Sequence, residues 1–184
     1  MKEKEKKKII RRLDKIGRIV IPKEIRKGLR IREGDPLEIF IEKTGEIVLK
    51  KYAPMGDMLE VASAYVETLA NTSDLVACIT DMETIIAISG APKSEYLAKS
   101  ISEHVLNVME ERAIWSTYDD MPMPLIEGEN PSKYKAQIIA PIISDADAIG
   151  TVILFSLDNN KKISNVEYKL VQSAASFLGK QMEA

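Results

Sequence analysis

Residues 17–40 read GRIVIPKEIRKGLRIREGDPLEIF, and they leave the first part of the chain few ways to fold. Ile19, Val20 and Ile21 form an apolar β-branched run that favours a strand. Pro22 follows where a helix can begin, because a first-turn N–H needs no intrahelical acceptor. Residues 23–29 make about two helical turns. At roughly 100° per residue, Lys23, Arg26, Lys27 and Arg30 share one face, and Ile25 and Leu29 lie opposite. Residues 33–36, EGDP, form a turn. Leu37, Ile39 and Ile41 then alternate with Glu38, Phe40 and Glu42, as in a strand with two distinct faces.

The flanks repeat this style. Residues 9–13 read as a strand containing Arg11 and Arg12, and 14–17 as a turn. Residues 43–46, KTGE, form a hairpin turn into a last strand ending near Tyr52. Four short strands and one short helix in about 45 residues make a marginal core. Chains this short need a disulfide, a metal or a partner chain. Cys78 is the one cysteine and His104 the one histidine, so neither a disulfide nor a recognisable metal site is available. Oligomerisation remains, and a two-fold axis presents every basic residue twice.

Charge divides the chain in the same place. Residues 1–52 hold 17 Lys+Arg against 9 Asp+Glu, a net +8; the rest holds 9 against 19, a net −10. The overall −2 conceals a basic part suited to a polyanion and an acidic part that is not. The opening MKEKEKKK is a solvated charged tail that can add phosphate contacts. No apolar run approaches transmembrane length and no signal-peptide core follows the charged start, so a cytoplasmic protein is expected.

Pro54 and Gly56 mark 52–57 as a linker. Beyond it the periodicity predicts a helix over 58–71 and strands over 75–80 and 84–89. Helices over 95–99 and 102–114 come next, then a long loop over 119–134. Strands over 137–143 and 149–156 precede a final helix opened by Ser164, with Glu167 three residues on as a capping box. Ile163, Val166, Leu170, Ala174 and Phe177 recur at helix-seam spacing. No nucleophile–base pair can be assembled, and the adjacent carboxylates Asp119 and Asp120 point apart, so no catalytic residue is assigned. The candidate polar residues Ser89, Ser94, Tyr118 and Asp119 form no diagnostic constellation, and Trp115, Tyr118 and the Met121–Pro124 loop are a candidate pocket wall.

From Asp14 to Pro22, DKIGRIVIP, and on through Glu24, Ile25 and Arg26, the chain resembles the AbrB-type swapped-hairpin DNA-binding family, with its D-x-x-G-R-[VI]-V-[IL]-P and E-[IL]-R pattern. The continuation LRIREGDPLEIF, LKKY at 49–52 and QME at 181–183 are similar to members that add a C-terminal GAF-type domain and regulate transcription in spore formers. The resemblance implies an α+β protein. Residues 1–53 would be a dimeric swapped-hairpin β-barrel, and 54–184 a GAF-like α/β/α regulatory and oligomerisation domain. It implies double-stranded DNA as partner, a homodimer through the first domain and a homotetramer through the C-terminal helices. A small-molecule ligand of the GAF-like domain stays open; no cofactor or metal is expected.

On that resemblance Arg11, Arg18, Arg26 and Lys27 are the DNA-contacting positions. Lys27 stands where relatives often have arginine, which keeps the charge but not the bidentate fork. Arg12 and Lys23 join the set by charge and position. The expected function is a sequence-selective regulator of sporulation genes. The alternatives are an antitoxin-type autoregulator, or a ligand-sensing module with only non-specific DNA affinity. The long patterned second part argues against the antitoxin.

Overall fold

The computed structural model describes residues 9–29, 31, 33–34, 37–51, 58–118 and 121–183. The charged tail 1–8, Arg30, the linker 52–57 and the Asp119–Asp120 pair lie outside the described residues. The chain divides into two compact units, 1–52 and 53–184.

In the first unit, α1 (Lys23–Gly28) starts immediately after Pro22. β1 (Leu37–Ile41) pairs antiparallel with β2 (Ile47–Lys51), with Ile39 opposite Leu49. Their turn needs the positive φ of Gly45, 86°, and closes with the Glu42 N–H donating to the Glu46 carbonyl at 2.9 Å. The strands expected over 9–13 and 19–21 are not formed. Those segments flank the 14–17 turn, but the described residues of one chain offer them no ladder of backbone partners. The expected four-stranded barrel is therefore half present in a single chain.

The second unit places one antiparallel sheet between two helical layers. β3 (Val76–Thr80), β4 (Ile85–Ser89), β5 (Trp115–Ser116), β6 (Ala136–Ser144) and β7 (Asp147–Ser156) assemble in the order β4-β3-β7-β6-β5. Strand alternation sorts the side chains. Ala77, Ile79, Ile138, Ala140, Val152 and Leu154 face α2 (Leu59–Ser73) and α5 (Asn165–Met182), meeting Ala62, Val66, Val171 and Leu178. Cys78, Ile139, Ile153 and Phe155 face α3 (Lys93–Tyr96) and α4 (Glu103–Glu111), meeting Tyr96, Val105 and Met109. Gly179 lets α5 close on β6, since a Cβ there would meet the Ile143 carbonyl oxygen at 2.1 Å.

The long loop is pinned near the start of its described part. Gln137, fully buried, donates from Nε2 to the Met123 carbonyl (2.8 Å) and accepts from the Met123 N–H (2.9 Å). The Ser102 hydroxyl donates to the Pro124 carbonyl at 2.5 Å. Pro131–Lys133 forms a 3₁₀ turn within the expected loop. The capping box at Ser164 is present.

Candidate nucleic-acid interface

Every described basic candidate of the first unit is exposed, and its position follows from local chain geometry. Lys23, Arg26 and Lys27 ride on α1, which docks through the buried Pro22 and half-buried Ile25. Glu24 in its first turn and Arg26 with Lys27 in its last suit the helix dipole. The side chains of Arg12, Lys23, Arg26 and Lys27 make no hydrogen bond or ion pair with any described residue. Arg11 only returns one hydrogen bond, from Nη1 to the Ile10 carbonyl at 3.2 Å. Exposed cations that no described residue engages are available to phosphates and base edges.

Arg18 differs. It follows the turn at Gly17, which holds φ 83°. Its Nε donates to Asp14 Oδ2 at 2.8 Å, and its backbone N–H donates to Asp14 Oδ1 at 2.8 Å. Ile16 donates a further N–H to the same oxygen at 3.0 Å. The Arg18 backbone bond, then its side-chain bond, hold the Asp14 carboxyl below its ordinary range. Sequence reasoning placed Asp14 in a turn and missed this contact. The signal was the D-x-x-G-R spacing, which brings residues i and i+4 together across a glycine turn.

Beside these residues lies an open apolar groove of about 480 Å³, lined by Ile9, Ile19, Ile21, Ile25, Leu29 and Leu49 among others. Ile10 is 75% exposed and Val20 73%. Apolar surface of this kind remains exposed only until something covers it.

The second unit does not gather its candidate ligand residues. Ser89 lines a cleft of about 630 Å³ with Ser63, Glu67, Asn71 and Lys93. Tyr118 shares a separate cleft of about 450 Å³ with Trp115, Ser116 and Tyr168. Met121 is exposed and Met123 packs on the α4 side of the core. The layer between sheet and α3–α4 is filled. The Phe155 ring lies 5.4 Å from Tyr96 and 5.1 Å, edge-on, from Tyr134. At its rim Lys133 pairs with Glu129 and donates to the Tyr96 hydroxyl at 3.1 Å, while the Tyr134 hydroxyl donates to Glu129 at 2.6 Å. Burial first, and then the bond to Glu129, push the Tyr134 hydroxyl up. Burial also pushes up the Cys78 thiol, which makes it a poor nucleophile. Among the described residues no group of His, Cys, Asp and Glu is placed to hold a metal, and no helix is long and apolar enough to cross a membrane.

Comparison with known proteins agrees with this division. Residues 10–57 match the model of the MazE family, described as antidote-toxin recognition, bacterial antitoxin. Residues 57–183 match the model described as stage V sporulation protein T C-terminal, transcription factor. The transition state regulatory protein AbrB of Bacillus subtilis is 50% identical over 46 residues, covering 25% of this chain and 47% of that one. The blue-light-absorbing PixJ GAF domain of Thermosynechococcus elongatus superposes with a TM-score of 0.56 at 16% identity, over 72% of this chain and 89% of that one. The fold class is thus an AbrB-like domain joined to a GAF-like domain. Stage V sporulation protein T of Bacillus subtilis is 43% identical over 177 residues, 95% of this chain and 97% of that protein. The chain belongs to the stage V sporulation protein T family of transcription regulators.

Proposed function

We propose that this chain controls sporulation genes by sequence-selective binding to double-stranded DNA through a dimer of its first unit. The reading rests on one observation above all: an unclosed apolar groove lies in the same small unit as exposed cations. A second copy that covers the groove completes the core. It also doubles Arg11, Arg12, Arg18, Lys23, Arg26 and Lys27 around the two-fold axis. The arginines can bridge guanine O6 and N7, and the lysines hold phosphates. The protein works in the cytoplasm, on the nucleoid, as a regulator rather than an enzyme. Residues 1–53 form the DNA-binding domain and 54–184 the assembly domain.

The second unit joins dimers into a tetramer. Its outer helical face carries Val61 and Tyr65 on α2 and Val166, Leu170 and Phe177 on α5, with Tyr65 stacked on Phe177 at 5.5 Å. Ile163 and Ala174, placed in the same seam by sequence spacing, are buried in the core instead. A ligand-sensing role has less support, because aromatic side chains fill the layer under α3 and α4.

The test is DNA binding by Arg18→Ala and Arg26→Ala across salt. Each loses about 1–3 kcal/mol of specific binding per site, with dimerisation intact. Wild-type affinity falls on the order of a hundredfold or more between about 50 and 200 mM salt. Salt-insensitive binding, or wild-type affinity in both variants, overturns the reading.

A further inference from the structure

We infer that Asp14 is a specificity-determining positioning residue, holding the Arg18 guanidinium so that only its terminal fork is offered to DNA. A guanidinium can grip a planar acceptor pair in two ways, through its two terminal nitrogens or through Nε and one terminal nitrogen. Asp14 Oδ2 already occupies Nε at 2.8 Å. The side-on grip is therefore taken, and the end-on grip is left. The carboxylate is itself fixed: Oδ1 accepts the N–H groups of Ile16 and Arg18 within the turn. Backbone, carboxylate and guanidinium thus form one constrained unit on an otherwise flexible, 75% exposed side chain. A side chain held in its binding geometry has less freedom to lose on association.

The alternative is that Asp14 only shapes the turn. A carboxylate in the middle of a basic surface repels phosphates, so its removal by itself tightens DNA binding. Positioning has the opposite consequence for specific sites. Among the described residues, Arg18 alone of the basic candidates has a carboxylate within bonding distance. The role rests on the DNA-binding reading above, and the two fail separately.

The experiment uses the full-length protein and two duplexes, one enriched from a random library by the wild type and one scrambled from it. Asp14→Asn keeps Oδ1 for the turn but replaces Oδ2 with an NH₂ that cannot accept from Nε. The ratio of the scrambled to the selected Kd should fall about tenfold, while binding to the scrambled duplex stays equal or tightens. In the Arg18→Ala background Asp14→Asn should change that ratio by less than about twofold, since coupled residues are not additive. The Arg18 Nε–H resonance, observed by ¹⁵N NMR, should shift in Asp14→Asn. Where Asn disturbs the melting temperature or the mass, Asp14→Ser is read in the same way, because its hydroxyl serves the turn and cannot reach Nε. If Arg18→Ala loses selectivity while the Asp14 variants keep it, or weaken both duplexes equally, the positioning role is overturned. If Arg18→Ala itself keeps wild-type selectivity, the DNA-binding assignment of Arg18 fails first.

Discussion

In the second unit Ile79, Ile138, Ile139, Val152 and Ile153 are completely buried, on two faces of one sheet. In the first unit Ile10, Val20, Ile41 and Ile47, side chains of the same β-branched class, are each at least 71% exposed. Side chains of one class are thus buried in one unit and exposed in the other, so their own hydrophobicity is not what separates the units. Length and layering are. The second unit has enough chain to cover both faces of its sheet with helices. Among its described residues the first has one hairpin and a six-residue helix, α1, and no layer to cover them. Apolar surface left in water forgoes roughly 25 cal/mol per Å². A unit in this state folds stably only when another chain supplies the missing layer. That requirement places two sets of cations on one object, which is the arrangement duplex DNA suits.

The sharpest way to break the comparison is dilution. A fragment of residues 1–52 should melt at a temperature that depends on its concentration. It should lose all strand signal by circular dichroism below its dimer dissociation constant. A fragment of residues 53–184 should keep its sheet signal at the same concentrations. A first-unit fragment that melts independently of concentration contradicts the incomplete-core account. Next in size is Phe155→Ala. It removes the ring that Tyr96 and Tyr134 pack against and should cost about 3–5 kcal/mol in denaturant titration of the second unit. Dimerisation through the first unit should be indifferent to it, and a loss under 1 kcal/mol would mean that this layer is not a packed core.

Val166→Glu comes third. Val166 is 64% exposed on α5, whereas Leu170 also packs on the core, so Val166 separates assembly from folding. The variant should halve the mass seen by light scattering. It should also weaken binding to two-site DNA on the order of a hundredfold, with one-site binding unchanged. An intact tetramer would refute the α2–α5 seam. The smallest effect is Glu167→Gln. Burial alone would raise the Glu167 carboxyl, but the bonds from the Ser164 hydroxyl and N–H outweigh it and hold the carboxyl below its ordinary range. A lowered folded-state value stabilises above the unfolded-chain value and is lost as pH falls through the folded one. The variant should therefore cost about 0.3–1 kcal/mol at neutral pH. The gap should close in acid, and a gap that persists there would show that charge is not involved.

Most elements of the second unit were legible within a residue or two. The spacing over 75–80 predicts β3 at Val76–Thr80, and Ser164 with Glu167 marks the start of α5. β5 was not legible, because two residues have no period. Only pairing of Trp115 with Ile139 and Ser116 with Ile138 makes it a strand. In the first unit the exposed cations could be read from charge and helical phase. The carboxylate that holds one of them was signalled only by the D-x-x-G-R spacing, and charge and helical phase pass over it.

What the sequence determined by itself is local: periodicity, caps, turn glycines, charge division and the D-x-x-G-R motif all act within a few residues of themselves. What the tertiary structure decided is which of two equally apolar faces goes inward. Ile163 and Ala174 lie in the core while Val166 and Phe177 look out, although their spacing along the chain is alike. It also decided that 9–13 and 19–21 stay out of any ladder in one chain. The physical reason is the same in each case. A periodic pattern states that a surface must be covered or a charge met, and only the folded chain supplies the group that does it.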